Sequence, residues 1–306
     1  MELVADVGGT NTRCALVGPD CRPESIRTVA NSAFGSLEPL LADYLRGQPV
    51  DAVRLAVAAP AERLPVRLTN RDWLVDPARI GHHLGVARVE VVNDCAAMAL
   101  GAPRLGDPDL VPLRLGRPDD DAPRAVVAPG TGLGAAAVVR CAGAWQPLPG
   151  EGGHVTAAAA DEEQARVLAV LRARVGHVSA ERVLSGQGLV NLYRALAACG
   201  RVEIGDVSPE YVTSRREDPL AVRASAMFLS LLGVFAGNLA LSLGARGGVY
   251  LAGGILPQLD RARLEAELVP AFLARGRFGG WLEAVPLWLV THPYPALVGL
   301  AGRAGR

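Results

Sequence analysis

The sequence predicts an α/β protein built as two related domains. Its 306 residues exceed the ~250 at which a single hydrophobic core stops growing. Short apolar runs alternate with stretches of helical apolar spacing through the N-terminal third, the pattern of a mixed sheet with helices on its faces. An apolar strand breaking into a glycine turn that carries threonine occurs once in each half, at Leu3–Thr10 and at Arg124–Gly132. That recurrence suggests two domains facing a shared polyanion.

In chain order, Leu3–Val7 reads as a buried strand, Gly8-Gly9 as a tight turn with Thr10 and Asn11 at its tip, and Cys14–Val17 as the start of a second strand. Ser25–Ala30 is a third strand, Leu37–Arg46 a helix, and Val53–Ala58 a fourth strand before Pro60. An irregular loop follows through Leu68–Trp73. Asp76 as N-cap with Pro77 at the first helical position predicts a helix to about Leu84. Arg88–Val92 is a fifth strand ending in Asn93-Asp94, and a small-residue helix runs over Cys95–Leu100. Residues 106–123 are polar and proline-rich and read as a surface connection at a domain boundary. Beyond it, the strand-turn theme returns at 124–135 and continues as a strand to Val139. Another glycine turn, Ala252-Gly253-Gly254, follows the strand at Gly248–Leu251. The chain closes with a strand at Leu287–Thr291 and a helix at Ala296–Ala304.

Composition narrows the function. Half the residues (50%) are hydrophobic and 20% charged, enough to fill a sizeable core. Acidic and basic residues balance at 31 each, so no polybasic face argues for nucleic acid or an anionic membrane. Every basic residue is arginine, which excludes the Walker A loop, the protein-kinase ATP lysine and Schiff-base chemistry. The cysteines Cys14, Cys21, Cys95, Cys141 and Cys199 lack framework or zinc-site spacing, which points to a reducing cytoplasm. The strand-turn motif begins so early that no signal peptide is expected ahead of it. The uncharged stretch Ala224–Ala245 has the length of a membrane span. Its serines, asparagine and glycines, and its run-on into a strand, favour a helix buried in a core.

The glycine turns define candidate sites. Two glycines without Cβ atoms let backbone N–H groups approach an anion, and Thr10 and Asn11 add donors. Asp6, at the strand end, is placed to hold a hydrated divalent cation beside that anion. An ordinary hairpin accounts equally for this stretch taken alone. Leu148-Pro149-Gly150-Glu151-Gly152-Gly153-His154 carries one carboxylate and one imidazole, too few for a closed metal site and suited to a polyhydroxyl ligand. Glu181 opens a glycine-interrupted helix start, where a carboxylate is also favoured by the helix dipole alone.

Six stretches, DVGGTNTR, VVNDCAAMA, APGTGLG, LPGEGGH, ERVLSGQGLVNLYRAL and YLAGGI, occur in this order over nearly the whole chain. Together they resemble the bacterial glucokinases. The resemblance implies two ribonuclease-H-like domains of the actin-like ATPase superfamily, a small one of residues 1–104 plus 291–306 and a large one of residues 105–290, flanking a cleft that closes on the sugar. The cysteine-rich zinc motif of the repressor/kinase (ROK) branch is missing from the sequence, so the zinc-free group is the better match. The implied activity is ATP-dependent phosphorylation of glucose at its 6-hydroxyl, with Asp94 as general base and Asn70, Asn93, Glu151, His154 and Glu181 bonding the sugar. Gly8, Gly9, Thr10 and Asn11 would form one phosphate loop, Thr131 and Gly132 a second, and Gly253 and Gly254 the nucleoside-side turn. Asp6 would position Mg²⁺ through water. With no lysine, the remaining phosphate charge falls to backbone N–H groups, helix N-termini and Arg13. Other hexoses, polyphosphate as donor, and a sugar-sensing regulator without turnover stay open as alternatives. The family resemblance also implies a homodimer.

Overall fold

The computed structural model describes residues 1–61, 63–68 and 71–302. The chain forms two compact units: Met1–Gly106 with Trp145–Pro149 and His292–Arg306, and Asp107–Ala144 with Gly150–Thr291.

The first unit holds β1 (Glu2–Val7), β2 (Asn11–Val17), β3 (Pro23–Ala30), β4 (Ala52–Val57), β5 (Val66–Arg67), β6 (Leu74–Val75) and β7 (Arg88–Asn93). Its main sheet runs β3-β2-β1-β4-β7. β1 and β2 form an antiparallel hairpin, while β1, β4 and β7 are parallel. Both faces of β1 and β4 are covered, so their sequences are nearly unbroken apolar runs rather than alternating ones. One face packs against Leu37, Leu40 and Leu41 of the helix Leu37–Leu45. On the other face, Val4, Ala15 and Ala56 meet Ala97 of the helix Asp94–Gly101 and Leu297 and Leu300 of the C-terminal helix Pro295–Ala301.

A charged side chain crosses this apolar frame. Arg54, in the middle of β4, is 1% exposed. It bonds Glu2 on β1 and donates through Nε to Glu90 on β7 at 3.2 Å, while Arg88 reaches Glu2 at 2.7 Å. The pairing joins the three parallel strands and gives the buried guanidinium anionic partners.

The second unit holds β8 (Leu110–Arg114), β9 (Arg124–Pro129), β10 (Leu133–Cys141), β12 (Val249–Leu251) and β13 (Leu287–Val290), whereas β11 (Ala144–Leu148) falls in the first unit from Trp145 on. Within the unit the strands lie in the order β10-β9-β12-β13-β8. Again an antiparallel hairpin, β9/β10, is followed by two strands parallel to its first arm. The order β2-β1-β4-β7 of the first unit and β10-β9-β12-β13 of the second is thus one plan used twice.

The 25-residue helix Pro219–Leu243 is the core of this unit. Asp218 caps it, accepting from Leu220 N at 2.8 Å and Ala221 N at 3.3 Å, and Gly244 ends it in the left-handed conformation. Phe228, Leu229 and Leu232 are fully buried. A helix packed on most sides must be apolar nearly all round, which is why its sequence has the look of a membrane span.

The loop expected over Leu68–Trp73 lies between the paired strands β5 and β6, with Leu68 N donating to Trp73 O at 3.0 Å. Two expectations need correction. The 106–123 stretch is not only a connection, because it contains β8, which pairs antiparallel with β13. Glu181 does not open a helix: the helix starts at Gly186, with Ser185 as its cap.

Candidate active site

The parallel register of the first sheet aligns its strand ends. Val7 pairs with Val57, and Val57 with Asn93. The turn after β1 and Asp94 after β7 therefore leave the same sheet edge, two strands apart. With ~4.8 Å between neighbouring strands the separation is ~10 Å, at the carboxyl ends where open α/β sheets hold their ligands.

The turn at 8–10 is closed by Gly8 N donating to Asn11 O at 3.1 Å. Behind it lies the buried Asn31, whose Nδ2 donates to Gly8 O at 2.8 Å and Gly9 O at 3.3 Å. Sequence reasoning missed Asn31, since nothing local marks it: the contact spans 23 residues. Asp6 faces Arg13 across the hairpin, with Oδ2 3.3 Å from Nη1. Burial pushes the Asp6 carboxyl above its ordinary range, and the Arg13 guanidinium pulls the other way.

Asn93 and Asp94 divide the helix start between them. The cap is Asn93, whose Oδ1 accepts from Ala96 N at 3.1 Å and whose Nδ2 donates to Ala59 O at 3.4 Å. Asp94 is the first helical residue, half-buried, with Oδ1 accepting from Cys95 N at 2.8 Å. The capping role that would explain an aspartate after a strand thus belongs to its neighbour. Asn70 lies outside the described residues.

In the second unit the predicted residues meet around Gly132. Glu181 Oε2 accepts from Leu133 N at 3.0 Å, and Glu181 N donates to Gly153 O at 2.8 Å. Glu181 therefore ties the turn at 130–132 to the loop carrying Glu151 and His154. That loop also pairs with β10 through the bridge Ala135–Glu151. The Glu151 carboxylate and His154 imidazole stand 3.8 Å apart, both well exposed. Side chains with such access and mixed donor–acceptor character suit hydroxyl recognition.

The turns at 130–132 and 252–254 adjoin because β9 and β12 are parallel neighbours. Gly130 N donates to Gly132 O at 2.8 Å, and Gly186 N to Gly130 O at 2.9 Å. Gly253 has φ +90°, and a Cβ there would collide with Pro129 O. The turns open on a cavity of about 440 Å³ lined by Thr131, Gln187, Pro209, Glu210, Gly254 and Gln258, among others. Gln258 Nε2 donates to Gly254 O at 2.8 Å and so braces the rim. Thr131 and Gly254 were expected here; Gln187, Glu210 and Gln258 were not, because turn chemistry marks glycines and leaves helix-borne polar side chains unmarked.

Known proteins resemble this chain in sequence and in fold. A glucokinase family model matches residues 3–305. A glucokinase from Paramagnetospirillum magneticum is 44% identical over 99% of this chain and 97% of its own. The crystal structure of a glucokinase from an Antarctic psychrotroph superposes with a TM-score of 0.89 at 35% identity, covering 98% of this chain and 97% of that one. A glucokinase from Balamuthia mandrillaris, solved with glucose, shares the fold at 22% identity with a TM-score of 0.80, covering 98% and 92% of the two chains.

Proposed function

Because the chain belongs to the glucokinase family, we propose that it transfers the terminal phosphoryl group of ATP to the 6-hydroxyl of glucose with Asp94 as the general base. The observation that supports this reading best is the shared row of Val7, Val57 and Asn93, which sends the phosphate turn and Asp94 out of one sheet edge. Asp94 accepts the hydroxyl proton as that oxygen attacks the γ-phosphorus, and ADP departs with the electron pair of the broken P–O bond. The bonding of Cys95 N to Oδ1 holds the carboxylate in one rotamer.

Asn93, Glu151, His154 and Glu181, with Asn70, hold the sugar hydroxyls in this reading. A site of paired polar groups rejects analogues that lack a hydroxyl, because its donors and acceptors are left unmatched. Gly8, Gly9, Thr10 and Asn11 take phosphate oxygens in the first unit, and Thr131 and Gly132 do so in the second. The cavity beside Gly253 and Gly254 receives the nucleoside. Asp6 fits a hydrated magnesium ion: it offers a hard oxygen donor, and burial makes its charge costly unless a cation stands near. When bound, the ion would neutralise charge on the phosphates. The repeated sheet plan supports reading the two units, with boundaries near residues 104 and 291, as the ribonuclease-H-like domains of an actin-like ATPase. A cytoplasmic homodimer is the assembly the family resemblance implies.

A coupled assay of sugar-dependent ADP release, run with a panel of hexoses and with ATP against polyphosphate, tests the reading. Glucose with ATP is expected to give the highest kcat/KM. Glucose binding by calorimetry without ADP release would replace the enzyme by a sensor.

A further inference from the structure

Asn31 is fully buried and polar, and no glycine motif contains it. Its side chain and backbone touch the turn three times on one side. Nδ2 donates to Gly8 O at 2.8 Å and to Gly9 O at 3.3 Å, and Asn31 N donates to Thr10 O at 2.9 Å. Carbonyl oxygens only accept, so the amide end facing them is the NH₂ group. Thr12 fixes that orientation, its Oγ1 donating to Asn31 Oδ1 at 2.7 Å.

In a trans peptide the N–H points opposite to the preceding C=O. Carbonyls of Gly8 and Gly9 drawn toward Asn31 therefore turn the N–H groups of Gly9 and Thr10 to the other side. Among the described residues those two N–H groups donate to nothing in the protein, and Thr10 is exposed. Consecutive N–H groups presented together form an anion-binding concavity.

We propose that Asn31, oriented by Thr12, is a positioning residue that holds the Gly9 and Thr10 amides ready for a phosphate group of the nucleotide. The inference rests on the reading of this turn as a phosphate loop. Asn31 touches neither substrate; it acts by pinning the carbonyl side of the loop, so that no conformational search precedes binding.

The test combines steady-state kinetics with ADP calorimetry on the full chain. Asn31→Ala is expected to raise the KM for ATP and the Kd for ADP about tenfold, the worth of roughly one charge-assisted hydrogen bond, while the KM for glucose stays within about twofold of wild type. Thr12→Val is expected to move the same two quantities in the same direction, and Thr12→Ser to restore them, because only the serine keeps the orienting hydroxyl. If Asn31→Ala does not fold, the Thr12 pair decides. An unchanged ADP Kd in folded Asn31→Ala, or equal losses toward both substrates, overturns the positioning role. Thr10→Pro, which removes that residue's N–H, separates this from the underlying reading: weakened ADP binding in Thr10→Pro alone removes only Asn31, whereas no effect in any of these variants removes the phosphate loop itself.

Discussion

Val7 and Asn93 occupy one row of the first sheet, each paired with Val57 between them. The row places a residue just before the glycine turn level with the residue just before Asp94, so neither can shift along its strand without breaking the parallel ladder. The carboxylate that follows Asn93 is therefore held at a constant distance from the turn.

From this follows the expected behaviour of Asp94→Asn. The amide can keep the acceptor to Cys95 N but cannot take a proton from a hydroxyl. We expect kcat to fall by ~10²–10⁴-fold, the usual worth of a positioned base, with glucose affinity by calorimetry and the melting temperature near wild type. A near-normal kcat would remove Asp94 from the mechanism.

Gly253 is expected to resist substitution for a reason independent of chemistry. At φ +90° an L side chain is strained, and its Cβ would meet Pro129 O. Gly253→Ala should lower stability by ~1–3 kcal/mol and raise the KM for ATP, since relief of the clash moves the turn beside the cavity. Denaturant melts and nucleotide titrations on the same preparation read both effects. Wild-type values for both would show that the backbone there adapts freely.

Removing Arg54 should be far worse than its lone charge suggests. Glu2, 8% exposed, would keep a carboxylate with only Arg88 to face it. Breaking a buried ion pair from one side costs ~3–5 kcal/mol, and that is the loss expected for Arg54→Ala. The double variant Arg54→Met with Glu2→Gln should recover much of it, because the charges that remain, Glu90 and Arg88, are partly exposed to solvent. Equal destabilisation in the single and double variants would contradict the pairing account.

Asp218 links stability to pH. Burial works to raise its pKa, but hydrogen bonds from Tyr193, Leu220, Ala221 and Tyr211 outweigh it, and the net shift is downward. Burial first, and then Asp218 and Tyr211, push the Tyr193 hydroxyl up to about 12. A carboxyl whose folded pKa is depressed stabilises the protein above its unfolded value of ~3.9 and loses that contribution as pH falls through the folded value. The melting temperature of Asp218→Asn should thus lie below wild type at pH 7, and the gap should narrow as pH drops below ~4. A gap independent of pH would assign the difference to packing.

Much of the candidate site was legible because its chemistry is local. A strand running into paired glycines, an Asn-Asp pair at a strand end and a Gly-rich loop with Glu and His are each spelled out within a few residues. Turn geometry of that kind depends on which residues tolerate unusual φ and carry donors at the tip. What local pattern could not supply was β8, hidden in a proline-rich stretch because an edge strand needs only a neighbour, here β13, and not a strong apolar signature.

By itself the sequence determined the α/β class, the repeated strand-turn theme, the absence of lysine chemistry and the residues to suspect. Only the tertiary structure decided that Glu181 braces Leu133 and Gly153 rather than starting a helix, that Asn93 takes the cap, and that Asn31 stands behind the first turn. The reason is physical. Local propensity is written in neighbouring residues, whereas a hydrogen bond across 23 or 48 positions exists only after the strands have paired and brought its ends together.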